Sequence, residues 1–218
     1  MKNKYVFVIL YSILACGLLY IIENIYSPSY IIIIIQKILL FVIIPIILIK
    51  TLKITQNTFG IITKKSFLYG IHFGVIASIG IIGSYFVFQS MIDWGNISQS
   101  VGERGITKEI FIFVFAYIIF GNALIEEFFF RGFIFNFINN FSKIFAYLFS
   151  GVLFSLYHIA IFGTWFEGVV LGIALLGLFL GGLFFSFLYE KTNGIWAAYI
   201  FHIIADLIIL IIGYQYLF

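Results

Sequence analysis

Residues 110–138 read IFIFVFAYIIFGNALIEEFFFRGFIFNFI, and this stretch decides the fold. Its only charged residues are Glu126, Glu127 and Arg131, all set deep within an otherwise uncharged run. A helix needs about 20 apolar residues to cross a bilayer, and this run exceeds that. Strands of a membrane barrel are roughly ten residues long and alternate in polarity, which this stretch does not. Lipid leaves no other way to satisfy the backbone. The stretch therefore reads as a membrane-spanning helix with three charges in its interior.

Working outward, further apolar runs cover roughly 5–22, 30–49, 66–90, 144–163, 168–189 and 195–217. The 218 residues are 63% hydrophobic and only 10% charged, with mean hydropathy +1.18. Soluble domains average about 45–50% apolar and about 25% charged residues. A water-soluble enzyme, a secreted domain and a disordered chain are thereby excluded. The fold class is all-α: a polytopic transmembrane helical bundle of about seven spans. A net charge of +3 is too small to point to nucleic acid. The single cysteine, Cys16, excludes an internal disulfide framework and a cysteine-rich metal site. Ser12-Ile13-Leu14-Ala15-Cys16 behind Lys2 and Lys4 has the outline of a lipid-modified signal, but the large Leu14 fits poorly, and an uncleaved first span is expected.

Scarce charges mark the loops. Lys2, Lys4, Lys50, Lys53, Lys64, Lys65, Lys143 and Lys191, with Arg131 near a turn, fall on one side, and Glu23, Asp93, Glu103, Arg104, Lys108, Glu109 and Glu167 on the other. The bias of basic residues predicts a multi-pass protein of the cell (plasma) membrane with its amino terminus in the cytoplasm. Lys37 is the exception, falling within the second span, where it would snorkel outward or mark a misplaced boundary. The loop 91–109, with Gly95, Gly102 and Gly105, is expected to be flexible and able to cap an opening. Glycines 172, 177, 181 and 182 are expected to allow close helix packing. No repeat or linker divides the chain. Two regions are expected: residues 1–109, about three helices and an outer loop, and 110–218, a catalytic helical core.

Charges inside lipid are expensive, about 2.5–3.5 kcal/mol each at a helix centre even on the lenient scale. Glu126, Glu127, Arg131 and Asp206 all carry that cost, and His158 and His202 lie deep as well. Glu127 and Arg131 are four apart and share a helix face, which suits an internal brace. Glu126 projects about 100° away, free for another partner. His202 and Asp206 also share a face. At about 1.5 Å per residue, Glu126 lies roughly 18 Å from the basic side, His158 about 22 Å, His202 about 12 Å and Asp206 about 18 Å. Three helices running in alternating directions thus place these groups in one layer.

Such a set suits the activation of water. Glu126 would take a proton, while His158, His202 and Asp206 hold the water or the developing oxyanion. The same four could ligate a metal, zinc being the ion two imidazoles and carboxylates suit, although no His-Glu-x-x-His pattern demands one and no cofactor is certain. Ser155 bears no independent mark of a nucleophile. His72 reads as a buried structural histidine, Phe128-Phe129-Phe130 as lipid-facing or packing surface, and Glu167 and Glu190 as solvated span ends. Trp94, Trp165 and Trp196 suit an interfacial belt.

At these residues the chain resembles the CPBP family, which holds type II CAAX prenyl proteases and the bacteriocin-processing or immunity proteins called Abi. Glu126-Glu127-Phe128-Phe129-Phe130-Arg131 is similar to its Glu-Glu-x-x-x-Arg motif. Phe154-Ser155-Leu156-Tyr157-His158 resembles Phe-x-x-x-His, and His202-Ile203-Ile204-Ala205-Asp206 resembles His-x-x-x-Asn/Asp. The resemblance covers roughly 110–210. It implies an intramembrane endopeptidase in which Glu126 activates water, His158, His202 and Asp206 complete the site, and Glu127 and Arg131 support it. The implied partner is a peptide or lipidated-peptide substrate, such as a prenylated peptide or a bacteriocin or pheromone precursor, met among membrane lipids. Asp206 stands where the prenyl proteases commonly have Asn, adding a negative charge that favours either a bound cation or a protonated Glu126. Two other classes fit the same residues: a membrane immunity or interaction protein that binds without turnover, and a small transporter using the carboxylates as an ion path. The missing repeat counts against the transporter.

Overall fold

A computed structural model describes residues 2–217, Lys2 by its backbone alone. Among the described residues there is no strand, and seven helices are long and apolar enough to cross a membrane. These are α1 (Asn3–Tyr26), α2 (Tyr30–Thr51), α3 (Lys64–Met91), α5 (Phe111–Asn139), α6 (Lys143–Phe162), α7 (Gly168–Thr192) and α8 (Trp196–Leu217). A shorter helix, α4 (Trp94–Glu103), stands between α3 and α5. The chain is a multi-pass membrane protein with the expected all-α architecture.

The helix ends follow local chemistry. The α1 helix stops at Ser27, in the left-handed region at φ 41°, immediately before Pro28. Thr63 and Ser66 cap the start of α3 reciprocally, and Asp93 accepts from Asn96 N to start α4. Asn193 ends α7 with φ 53°. Between Asn193-Gly194 and the loop before α3 there is no room for side chains. A Cβ on Gly60 would fall 2.2 Å from Asn193 O.

At the centre is α5, contacted by α1, α2, α6, α7 and α8, while α3 lies outside against α8 and α7. The Phe triplet is wholly buried, so its lipid-facing reading is set aside. Phe129 stacks on Phe41 of α2 at 3.9 Å, and Phe130 meets Phe154 of α6 edge-on at 5.2 Å. The burial reflects position along α5: residues 126–135 are all buried within the bundle, whereas Ile112, Phe113 and Phe120 nearer its start are exposed.

Close glycine packing occurs at one of the four expected positions and at others not expected. Gly172, Gly177 and Gly181 have nothing within reach of an added Cβ, so their expected packing role is corrected. Only Gly182 packs tightly, with a Cβ position 2.9 Å from Gly151 Cα of α6. The tighter seam joins α3 to α8, where a Cβ added to Gly70 or Gly74 would fall 2.6 Å from Ile200 or Ile204 respectively. Their four-residue spacing puts both on one face, as in small-xxx-small pairs.

The expected flexible loop 91–109 is instead structured. Ile97 and Val101 on α4 are buried, Trp94 stacks on Tyr216 of α8 at 3.9 Å, and Asn96 donates to Thr164 O. Arg104 pairs with Glu23 at 3.3 Å, so Glu23 is buried rather than solvated in a loop. Glu190, expected to be solvated, is held by Lys143 at 2.6 Å and Tyr147 at 2.7 Å. His72 is exposed on α3, not buried, and is not brought to the other polar groups.

Candidate active site

Two features of α5 prepare it to carry charge. Its turns widen to π-helical geometry over Tyr117–Asn122 and Glu127–Phe135, either side of Glu126. Such turns, common at functional sites, narrow the angle between successive side chains. Both Glu126 and Glu127 consequently face the bundle interior, at 1% and 0% exposure.

Glu127 and Arg131 form the brace their spacing predicted, Nη1 to Oε1 at 3.3 Å. Arg131 is wholly buried between the rings of Phe154 and Phe185, 4.4 and 4.5 Å from their centroids. Its Nη2 donates to Gly182 O at 3.2 Å, an approach that the absent side chains at Gly151 and Gly182 permit. Glu127 Oε1 also accepts from His202 Nδ1 at 2.9 Å. The brace therefore reaches across to α8 and orients an imidazole.

His158 is oriented by its own helix. At this residue α6 tightens, and the His158 N–H donates to Ser155 O instead of Phe154 O. The released Phe154 carbonyl takes the His158 ring, Nδ1 to O at 2.7 Å. A carbonyl only accepts, so Nδ1 carries the proton and Nε2 presents a lone pair. The Glu127 carboxylate fixes the same tautomer at His202. Ser155 Oγ donates to Leu175 O at 2.6 Å and is occupied as a strut between α6 and α7.

The two Nε2 atoms converge on Glu126 Oε2, 3.9 Å from His158 and 3.8 Å from His202. Asp206 Oδ2 lies 3.6 Å from His202 Nε2. Neither Glu126 Oε2 nor Asp206 Oδ2 has a hydrogen-bond partner, although both are buried. The Glu126 and Asp206 oxygens thus face the two Nε2 atoms at separations too long for direct hydrogen bonds, which leaves room for a bridging molecule among them. A water offers two protons to such a group. The residues that could ligate a metal are these same four, yet among the described residues no group of three or more His, Cys, Asp or Glu gathers in metal-holding geometry.

The other oxygen of Glu126 is crowded. Oε1 accepts from Lys37 Nζ at 3.0 Å, Asn122 Nδ2 at 2.7 Å and Tyr157 OH at 2.7 Å. Lys37 also donates to Asn122 Oδ1 at 2.5 Å and to the Tyr157 hydroxyl. Lys37 is therefore neither a snorkelling residue nor a boundary error: it is 5% exposed and bound on all sides. Sequence reading missed Lys37, Asn122 and Tyr157. A signal for Lys37 existed, because it lies about 21 Å from the basic end of α2, level with Glu126 at about 20 Å from the corresponding end of α5.

Asp206 is the most open member, its side chain 17% exposed. Leu210 and Tyr214, one and two turns along α8, line a groove of about 370 Å³ with Lys108, Phe111 and Phe115 of the facing segment. Residues 108–208, which contain every motif residue of the site, match a family described as type II CAAX prenyl endopeptidase, Rce1-like. No curated protein and no solved structure matches the chain.

Proposed function

From the likeness of residues 108–208 to the Rce1-like type II CAAX prenyl endopeptidases, we propose a glutamate-driven hydrolysis inside the membrane. The carrying observation is the unpartnered Oε2 of Glu126, faced by two imidazoles whose free nitrogens point at it. A water held there donates one proton to Glu126 and the other to His158 or His202. Glu126 Oε2 takes its proton as the water oxygen adds to the scissile carbonyl carbon. The same proton then passes to the leaving amine nitrogen, and the peptide bond breaks to an acid and an amine. Asp206 steadies His202 from the open side.

The substrate is a hydrophobic or lipid-modified peptide, as the setting within a bundle of apolar helices favours. It reaches Glu126 past Asp206, along the face of α8 that carries Leu210 and Tyr214. The clustering of Lys50, Lys53, Lys64, Lys65, Lys143 and Lys191 at one end of the bundle supports a cytoplasmic amino terminus in the plasma membrane.

Purified chain in proteoliposomes, given a farnesylated peptide ending in a CAAX sequence, tests the reading. Cleavage by wild type and its loss in Glu126→Gln, His158→Ala and His202→Ala are expected. Equal cleavage by Glu126→Gln overturns it. A chelator titration in the same assay reports on metal dependence.

A further inference from the structure

We infer that Lys37, on a helix outside the family-matching segment, is a positioning residue for Glu126, an inference that rests on the hydrolytic reading above. The Lys37 ammonium meets three partners, Asn122 Oδ1, Glu126 Oε1 and the Tyr157 hydroxyl, and leaves none of its protons without an acceptor. Asn122 and Tyr157 in turn donate to the same carboxylate oxygen, so three donors from α2, α5 and α6 hold Oε1. A carboxylate gripped by one oxygen cannot turn about its terminal torsion. That leaves Oε2 as the oxygen presented to His158 and His202, in the one orientation that reaches the water between them.

Charge supports the same assignment. Glu126, Glu127 and Asp206 face the site with formal negative charge, and Arg131 answers Glu127. Among the described residues, Lys37 is the other lysine or arginine at the site, its Nζ on Glu126 itself. A buried carboxylate keeps its charge only when paired and hydrogen-bonded, and a base must keep it to accept a proton from water. The α2 ladder is irregular just past Lys37: it widens to a π turn over Leu39–Ile43, and Pro45 beyond it lacks an N–H to continue the regular pattern. Phe41, within that turn, locks α2 to α5 by stacking on Phe129.

The test compares Lys37→Gln, Lys37→Met and Lys37→Arg with wild type and Glu126→Gln in the same proteoliposome assay, with thermal unfolding as a check on folding. Lys37→Gln and Lys37→Met are expected to lower kcat about 100-fold with KM within twofold, as for a misplaced catalytic group. Lys37→Arg, which keeps charge and donors, is expected to recover to within about tenfold of wild type. If Lys37→Met does not fold, Lys37→Gln is read alone, since it keeps a donor and similar volume. Wild-type kcat in a folded Lys37→Gln, with Glu126→Gln inactive, overturns the role of Lys37 and leaves the hydrolytic reading standing. An equal loss in Lys37→Arg and Lys37→Gln at unchanged melting temperature also overturns it. Full activity of Glu126→Gln overturns the hydrolytic reading instead.

Discussion

Glu127 Oε1 accepts a 2.9 Å hydrogen bond from His202 Nδ1, linking the central helix of the bundle to its last one. The same oxygen pairs with Arg131, which binds α7 through Gly182 O. One carboxylate oxygen therefore ties three helices and selects the tautomer of a site imidazole.

Breaking this tie from the cation side has a large cost. Arg131→Met leaves the Glu127 charge buried without its partner, and a loss of about 3–5 kcal/mol is expected. The double replacement Arg131→Met/Glu127→Gln removes both charges while keeping an acceptor for His202, and should regain more than half of that loss. Denaturation in detergent checks the pair. Equal stability of single and double variants would count against the buried ion pair.

His158→Gln separates orientation from packing. The ring that meets Phe154 O and faces Glu126 is gone, yet a polar side chain of similar reach remains. Peptide cleavage is expected to fall on the order of 100-fold in kcat, with melting little changed. A drop in stability that accounts for the whole activity loss would assign His158 to structure alone.

The two glycine classes on α7 should respond oppositely. Gly182→Val drives side-chain atoms into Gly151 and against Arg131 Nη2, an overpacking cost of about 1–3 kcal/mol. Gly177→Ala enters open space on a helix and should be neutral or stabilising by up to about 1 kcal/mol. Melting curves of the two variants decide; similar curves would contradict the packing described.

Arg104→Met tests the outer ion pair. Glu23 is 3% exposed and its Oε1 already lacks a partner, so losing Arg104 strands the charge. Since Arg104 keeps some exposure, roughly 2–3 kcal/mol is expected, below the range for fully buried pairs. Limited proteolysis should then cut within Trp94–Glu103; unchanged resistance would show that Trp94 and Ile97 hold α4 unaided.

Leu210→Trp narrows the groove one turn beyond Asp206. If the peptide travels along this face, KM should rise several-fold with kcat nearly unchanged, the pattern of lost binding rather than lost chemistry. An unaltered KM would move the substrate's path elsewhere.

Much of this was legible in sequence because lipid penalises polarity so heavily. The seven spans follow from continuous apolar runs, and Glu126, Glu127, Arg131, His158, His202 and Asp206 stand out against them. The Glu127–Arg131 pair followed from four-residue spacing alone. Lys37 was misread because a lone lysine with a flexible stem has an escape to the interface, and hydropathy along one helix cannot show its partner on another. Asn122 and Tyr157 were passed over because uncharged polar residues are cheap in lipid and carry no comparable signal. Gly70 and Gly74 were likewise silent, since small residues announce a close crossing only once the facing helix is known.

The donation of Lys37 from α2 bears on how this protein can be cut, swapped or inherited. A fragment that starts at residue 108 would keep every signature residue and still be an unbalanced anion cage, with its counter-charge left behind on another piece. With Lys37 in the role proposed for it, the opening helices would be part of the reagent as well as its anchor, and exchanging them between relatives would be a change of chemistry.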